Sequence, residues 1–268
     1  MHTDAPAFTA PSRAPEITLC ELGDPGIPGL ESPSPFCLKV HRALRLAGLA
    51  YTRRHGEMPA SHKALNPVAQ VPVLLIDGRA VSDSTAILRE IDARSGASLL
   101  RGLDARSTAE AWLWEELGDT SLNGFLVAAR WADDRNWTAV RSLYFQGMPA
   151  PLRAVIPGVL RRKVVASLRA RDVWRAGPEA CWTRFEALLD QLDARAPEGG
   201  FWMGERATVA DLGLFAQLHG LRTELTPWQR DRVARRARLS AWLDRVHTAS
   251  AGEGLCRAEP LTSPVERP

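Results

Sequence analysis

The stretch NPVAQVPVLLIDGRAVSDST, residues 66–85, contains the clearest strand pattern of the chain and decides how the flanking sequence is interpreted. Within it, VPVLLID (71–77) is a short apolar run of the kind that forms a buried strand. The pair Asp77-Gly78 predicts a hairpin turn into another short strand, RAVSD. SDSTAILREIDARSG (82–96) follows with a polar start and a terminal glycine, which predicts a helix.

Upstream of this stretch, strand and helix patterns alternate. EITLCEL (16–22) is a β-branched, apolar candidate strand. SPSPFCLKVHRALRLAGLAY (32–51) places apolar residues at helical spacing and puts Gly48 where a helix C-cap belongs. AYTRRH (50–55) predicts a second strand. The order is therefore β-α-β-β-β-α, an α/β arrangement.

Downstream, the strand pattern disappears after residue 103, and the second half is predicted to be all-α. A long helix is predicted over 104–131. Further helical segments are predicted at about 150–172, 178–195, 208–222 and 237–249. The spacing of Thr208 and Asp211 is that of a capping box, a structural role. We predict a flexible leader over 1–15, an α/β domain over 16–97, an all-helical domain over 104–250 and a flexible tail over 251–268.

Composition limits the classes of protein. The 268 residues are 45% hydrophobic, with a net charge of +3, which is weak for nucleic-acid binding. No run approaches the roughly 18 apolar residues of a membrane span, and no secretory signal begins the chain, so we expect no membrane association and a cytoplasmic location. The four cysteines form no CxxC pair, and neither they nor the histidines have zinc-site spacing, so no metal is expected.

Three motifs in order resemble the cytosolic glutathione transferase superfamily: NPVAQVPVL (66–74), the SDST that opens the helix at 82, and FWMGERATVADLGLFAQL (201–218). The superfamily pattern is Asn-Pro-x-Gly-Lys-Val-Pro-x-Leu, a Glu/Asp-Ser pair at a helix start, and a Thr-x-x-Asp capping box. The resemblance covers roughly residues 16–249. It implies a thioredoxin-like N-terminal domain, an all-helical C-terminal domain, glutathione as cofactor and a homodimer.

A second resemblance narrows the branch. SPFCLK (34–39) is similar to the start of the first helix in metaxin and failed-axon-connections proteins. Several members of that branch are described as membrane-associated adaptors. A non-catalytic binding or adaptor protein therefore stands as the alternative to an enzyme.

The resemblance assigns a glutathione site to five residues. Asp83 pairs with the γ-glutamyl ammonium, and the Ser84 hydroxyl, at a helix N-terminus, donates to the γ-glutamyl carboxylate. A cis Pro72 turns the Val71 backbone toward the cysteinyl part, and Gln70 reaches the glycyl carboxylate. Capping of the helix by Asp83, and a proline that merely starts a strand, are the structural alternatives.

Two positions depart from the superfamily pattern. Ala69 and Gln70 replace its Gly and Lys. An amide at position 70 can hydrogen-bond the glycyl carboxylate but brings no charge, so weaker affinity is expected.

The thiol of glutathione needs a donor to become a thiolate near neutral pH. Ser34 stands just before the first helix, where its hydroxyl is either that donor, and hence catalytic, or only the helix N-cap. We predict that Cys37 is packed inward, and that Lys39 and His41 are surface residues.

A second substrate, a small apolar electrophile, is expected between the domains. We predict that four residues line its pocket: Phe36, Trp112, Trp114 and Leu117. Asn123 and Phe125 are further candidates. The same activated thiol also fits glutathione-dependent isomerisation or reductive cleavage, between which the sequence does not choose.

Overall fold

The structure of the chain, a computed structural model, describes six ranges: residues 14–24, 26–27, 29–56, 59–171, 173–252 and 254–258. Of the predicted flexible leader only residues 14 and 15 lie within these ranges. No helix of the described residues is long and apolar enough to cross a membrane.

The N-terminal domain has the predicted order of elements. Its strands and helices are β1 (Ile17–Leu22), α1 (Pro35–Leu46), β2 (Tyr51–Gly56), a 3-10 turn (Pro59–His62), β3 (Val73–Ile76), β4 (Arg79–Ser82) and α2 (Ser84–Arg94). Strand β1 lies at the centre, parallel to β2 and antiparallel to β3, which pairs in turn with β4. Strand β1 is almost wholly buried, because it has a neighbouring strand on each side and lies at the centre of the domain. This mixed sheet with helices confirms the predicted thioredoxin-like domain.

The predicted flexible tail contains a fifth strand instead. Strand β5 (Cys256–Ala258) extends the sheet and pairs in parallel with β2, with Cys256 opposite Tyr51. The backbone N–H of Tyr51 also donates to the Leu255 carbonyl at 3.0 Å. The edge of β2 offers unpaired backbone groups, and main-chain pairing needs no strand-like side-chain pattern, so the sequence did not predict it. Residues 253 and 259–268 lie outside the described ranges.

The C-terminal domain is helical, as predicted, but its first helix is not uniform. The predicted helix over 104–131 consists of α3 (Ala105–Leu117), a π-helical turn (Gly118–Leu122), α4 (Asn123–Val127) and a second π-helical turn (Ala128–Ala132). The remaining helices are α5 (Asp134–Tyr144), α6 (Ala150–Arg171), α7 (Gly177–Arg195), α8 (Val209–Leu221), α9 (Pro227–Ala234) and α10 (Ala237–Ala249). Helices α5 and α9 were not predicted.

Helix α8 is the centre of the C-terminal domain. Nearly every residue of Val209–Leu221 is buried, and the predicted capping box of Thr208 and Asp211 is present at its start. The first π-helical turn crosses α8 where two glycines meet. A Cβ on Gly118 would lie 2.5 Å from the carbonyl oxygen of Gly213, a separation that no side chain tolerates. This close crossing brings residues 115–119 against the N-terminal domain.

Two residues of α1 correct the prediction of a solvated face. Lys39 and His41 are fully buried, not on the surface. The imidazole Nε2 of His41 lies 2.9 Å from the carboxylate of Glu21, and its Nδ1 lies 2.8 Å from the hydroxyl of Tyr51. Helix α1 packs against α8 and α2, and both Lys39 and His41 have partners inside the protein.

Candidate functional site

A cavity of about 420 Å³ lies at the boundary of the two domains, between the N-terminus of α2, the loop before β3 and the first π-helical turn. The structure brings together in this cavity all five residues predicted to bind glutathione and one predicted pocket residue: Gln70, Val71, Pro72, Asp83, Ser84 and Phe36. The cavity therefore unites segments that are separated in the sequence.

The loop before β3 has the cis proline that the family resemblance implied. The peptide bond between Val71 and Pro72 is cis. Asn66 holds the loop, because its side-chain nitrogen donates to the Gln70 carbonyl at 3.0 Å and its oxygen accepts from the Val68 N–H at 3.2 Å. The Gln70 side chain is left exposed at the cavity.

Asp83 caps α2 and does so from an uncommon backbone conformation. Its Oδ1 accepts from the Ala86 N–H at 2.9 Å, so the capping role is real. Its φ of +76° lies in the region that favours glycine. Such strain costs of order 1–3 kcal/mol and is concentrated at functional sites. Ser84 follows as the first residue of the helix, largely buried and facing the cavity.

A buried ionic cluster lies behind the cavity and joins the two domains. The ammonium of Lys39 contacts Oε1 of Glu115 and Oδ2 of Asp119, each at 2.5 Å. From α2, the hydroxyl of Thr85 donates to Glu115 Oε1 at 2.8 Å, and that of Ser84 lies 3.5 Å from Asp119 Oδ2. Sequence reasoning missed this cluster, since a lysine within an amphipathic helix usually predicts a solvated face.

Asp119 stands out within the cluster. Burial raises its pKa to about 6; the charge of Lys39 acts against this shift, and that of Glu115 adds to it. Its Oδ1 is buried and has no hydrogen-bond partner among the described residues, while the side chain lines the cavity. Leaving a buried carboxylate oxygen unpaired is costly. The carboxylate of Asp119 can therefore accept a further hydrogen bond, and its negative charge favours a cationic donor.

Ser34 is the N-cap of α1. Its Oγ accepts a long hydrogen bond from the Cys37 N–H at 3.4 Å, and the residue is half-buried. Among the described residues that line the cavity, Ser34 is absent. Capping uses a lone pair of the hydroxyl, and the same hydroxyl hydrogen-bonds the Cys37 thiol, which acts to lower the pKa of that thiol. Cys37 is fully buried, as predicted; burial, and then the Glu21 carboxylate, raise the pKa of its thiol well above the ordinary value.

Arg130, in the second π-helical turn, holds the segment that leads to Ser34. Its guanidinium donates to the Pro33 carbonyl at 2.6 Å, to the Tyr144 hydroxyl at 2.9 Å and to the Gly220 carbonyl at 3.1 Å. The residue is 4% exposed. The sequence analysis did not predict this role, although an arginine within the apolar run FLVAARW (125–131) is a pattern that indicates a buried, bonded side chain.

The remaining predicted pocket residues lie elsewhere. Trp112 is stacked by the Arg89 guanidinium, 4.0 Å from its ring centroid. Trp114 packs edge-on against Trp202 at 5.2 Å, and Leu117 packs against the core. None of the three lines the cavity, because the helix turns Glu116 and Asp119 toward it instead. Asn123 donates to Gln217, and Phe125 is buried against Phe185.

Comparison with known proteins agrees with this arrangement. The family model described as the glutathione S-transferase N-terminal domain matches residues 33–94, and that of the C-terminal domain matches residues 166–245. The two ranges together contain more than half of the chain. The first range includes the cavity residues of the N-terminal domain, and the second includes the capping box of α8.

Two curated relatives match over shorter stretches. The chain is 36% identical over 78 residues to Failed axon connections of Drosophila melanogaster, and 33% identical over 99 residues to glutathione transferase GST 23 of Zea mays. The matches cover 29% and 35% of this chain, and the chain spans less than half the length of these relatives, 18% and 44%.

Solved structures share the fold over nearly the whole chain. A β-etherase of Sphingobium sp. strain SYK-6 superposes with a TM-score of 0.63 at 22% identity, covering 89% of this chain and 98% of that one. A glutathione transferase family member of Pseudomonas fluorescens, with two glutathione bound, gives 0.57 at 18% identity over 88% and 92%. With both domains matched in order and the cavity at their boundary, the chain belongs to the glutathione S-transferase family.

Proposed function

We propose that the chain is a glutathione-dependent enzyme of the transferase type, which binds glutathione in the cavity between its domains. One observation carries the proposal: the loop over residues 70–72, the N-terminus of α2 and the side chain of Asp119 line a single cavity. Each of these three features suits a different part of one zwitterionic peptide.

The γ-glutamyl end is the best specified part. Its carboxylate lies at the N-terminus of α2, where backbone N–H groups and the helix dipole favour an anion, and accepts from Ser84. Its ammonium lies between Asp83 and Asp119, the second of which offers a buried, unpaired oxygen. The cysteinyl part pairs with the Val71 backbone, and the glycyl end meets the amide of Gln70.

Thiol activation belongs to Ser34 in this proposal. In this role its hydroxyl caps α1 through a lone pair and donates its proton to the sulfur of glutathione. The N-terminus of α1 favours the thiolate form. The thiolate sulfur then attacks an electrophilic carbon of a small apolar molecule, a carbon–sulfur bond forms, and the leaving group departs with the displaced electron pair. Addition followed by elimination gives isomerisation by the same thiol, and attack on an ether gives cleavage. Phe36 supplies an apolar surface at the cavity.

Titration calorimetry of glutathione into the full chain tests the binding step. We expect micromolar-to-millimolar binding that Ser84→Ala abolishes or weakens strongly. The matched control is Ser167→Ala, an exposed serine on α6, which leaves binding unchanged. Absence of heat at millimolar glutathione contradicts the proposal.

A screen of electrophiles tests the chemical step. We expect Ser34→Ala to lower the turnover of any accepted electrophile by about 10²-fold, as removal of a single donor to a developing anion does. Binding of glutathione by the same variant is expected to persist.

A second candidate function is a non-catalytic binding or adaptor protein. The likeness to Failed axon connections and the position of Ser34 outside the cavity lining favour it. This candidate predicts glutathione binding without turnover of any electrophile in the screen, and Ser34→Ala then has no consequence.

The proposal extends to assembly and location. A homodimer and a cytoplasmic location are expected from the family resemblance. Sedimentation velocity of the purified chain and fractionation of the source cells test them directly.

A further inference from the structure

The cavity is lined by acids without a balancing cation. Asp83, Glu116 and Asp119 line it, and no lysine or arginine does so among the described residues. The nearest cation in the cluster, Lys39, is fully buried and already contacts the carboxylates of Glu115 and Asp119. Its charge is therefore matched within the cluster, and the cavity as a whole is negative.

The acids are gathered at one end. Asp83 and Asp119 flank the N-terminus of α2, where the proposed ammonium lies. The loop before β3 contributes five residues to the lining, all uncharged: Asn66, Val68, Gln70, Val71 and Pro72. The Asn66 amide is engaged in holding the loop, which leaves Gln70 as the polar side chain free to meet a ligand there.

The charges of the cavity favour one of two ligands over the other: glutathione, and the same peptide with an amide in place of its glycyl carboxylate. Glutathione near pH 7 has two carboxylates and one ammonium. Its γ-glutamyl carboxylate is met by the N-terminus of α2 and its ammonium by the acids. The glycyl carboxylate meets one neutral amide and feels the repulsion of the acidic groups, which solvent and salt screen only in part. An amide in place of that carboxylate removes the repulsion and still hydrogen-bonds with Gln70.

We infer that this cavity selects a γ-glutamyl thiol peptide whose C-terminal end is uncharged, in preference to glutathione with its free glycyl carboxylate. The inference rests on the proposed function, since it names the ligand class of the same site. Position 70 determines the specificity because its side chain carries no positive charge, and Glu116 reinforces the selection through its negative charge.

Calorimetry with two probes tests the inference on the full chain. The probes are glutathione and glutathione whose glycyl carboxylate is converted to the primary amide, both at pH 7.5 and low salt. We expect the amide to bind about three to ten times more tightly, which is the size of effect that one or two charges produce when solvent and salt screen them. Raising the salt concentration is expected to shrink the ratio of the two dissociation constants.

Variants make the test specific. Gln70→Lys is expected to reverse the preference, because a cation now meets the glycyl carboxylate. Gln70→Met, the matched neutral control, keeps the preference for the amide. Glu116→Gln is expected to reduce the ratio without changing its direction.

The outcomes separate the two levels of the argument. Binding of both probes with glutathione equal to or tighter than the amide overturns the inference and leaves the proposed function in place. A preference that Gln70→Lys fails to alter also overturns it. Binding of neither probe overturns the proposed function and the inference together.

Discussion

Two buried aspartates in the C-terminal domain look alike in the sequence and differ in the structure. Asp211, in the first turn of α8, uses both oxygens: Oδ1 accepts from the Trp202 N–H at 2.8 Å and the Trp242 indole at 2.9 Å, and Oδ2 accepts from the Thr208 N–H at 2.8 Å and its hydroxyl at 3.0 Å. Asp119 crowds its contacts onto Oδ2 and leaves Oδ1 buried without a partner among the described residues.

Burial acts on both carboxyl groups, so it does not distinguish them. It raises the pKa of Asp211, against four hydrogen bonds, and that of Asp119 to about 6. The difference lies in the unused hydrogen-bonding capacity: all four contacts of Asp211 stabilise the fold, whereas one oxygen of Asp119 has no partner among the described residues. The comparison predicts opposite consequences for stability and binding at the two positions.

The largest effect is expected at the shared cation of the interdomain cluster. Lys39→Met leaves Glu115 and Asp119 buried without a counter-charge, and breaking such a pair costs about 3–5 kcal/mol of the free energy of unfolding. Urea denaturation measures it. The double variant Lys39→Met with Glu115→Gln is expected to recover part of the loss, because one orphaned carboxylate is removed. A single variant as stable as the wild type shows that the cluster contributes nothing.

Asp211→Asn is expected to lower the free energy of unfolding by about 2–4 kcal/mol, because its NH2 group faces donors that had a carboxylate oxygen. Glutathione binding by the folded fraction stays unchanged, since Asp211 itself does not line the cavity. Denaturation and calorimetry on the same sample measure both. Lost binding at full stability contradicts the division between the two aspartates.

Asp119→Asn is expected to do the reverse. Since burial makes ionisation of Asp119 unfavourable in the fold, the neutral amide leaves stability at pH 7.5 unchanged or raised, while glutathione affinity falls about tenfold with the loss of a charged partner for the ammonium. The same two measurements apply. A destabilised variant with normal affinity assigns Asp119 to the fold alone.

The raised pKa of Asp119 also gives glutathione binding a pH dependence. Below about pH 6 the carboxyl group is protonated and attracts the ammonium less, so the association constant is expected to rise as the pH increases from 5 to 7. The stability contribution runs oppositely: a folded pKa above the unfolded value favours folding at low pH, and this advantage is lost as the pH rises from about 4 to 6. In Asp119→Asn both pH-dependent steps are expected to be absent.

The smallest effect concerns the loop that carries Gln70. Ala69 has a φ of +57°, in the region that favours glycine. Ala69→Gly is expected to stabilise the chain by up to about 1 kcal/mol, less the entropy that glycine adds to the unfolded chain. Ala97, with a φ of +58° in the turn after α2, is the matched control. Ala97→Gly is expected to have a similar effect on the melting temperature. Neither variant is expected to lower the affinity for glutathione by more than twofold, since glycine retains the loop geometry.

Much of this architecture could be predicted from local patterns. The β-α-β-β-β-α order, the capping box of Thr208 and Asp211 and the buried Cys37 each depend on residues within a few positions of one another, which is why capping and periodicity predicted them. The cis Pro72 was implied by the family resemblance. Helix α9 was missed because its apolar spacing is weak, whereas α5 was missed although its apolar residues have helical spacing.

The other features depend on contacts between distant segments. Strand β5 forms because β2 presents an unpaired edge, which no property of the tail reveals. Lys39 is buried because α8 covers its helix and because Glu115 and Asp119 contact its ammonium. Trp112 and Trp114 lie away from the cavity because α3 directs Glu116 into it instead. Arg130 reaches Pro33 across nearly a hundred residues of sequence.

The sequence by itself determined the family, the order of elements and the five residues proposed to hold glutathione, since motif spacing and backbone preferences are local properties. Only the tertiary structure decided which acids line the cavity and that no described lysine or arginine lines it with them. Charge, burial and spare hydrogen-bonding capacity are set by what lies across a cavity, and that neighbour belongs to another part of the chain.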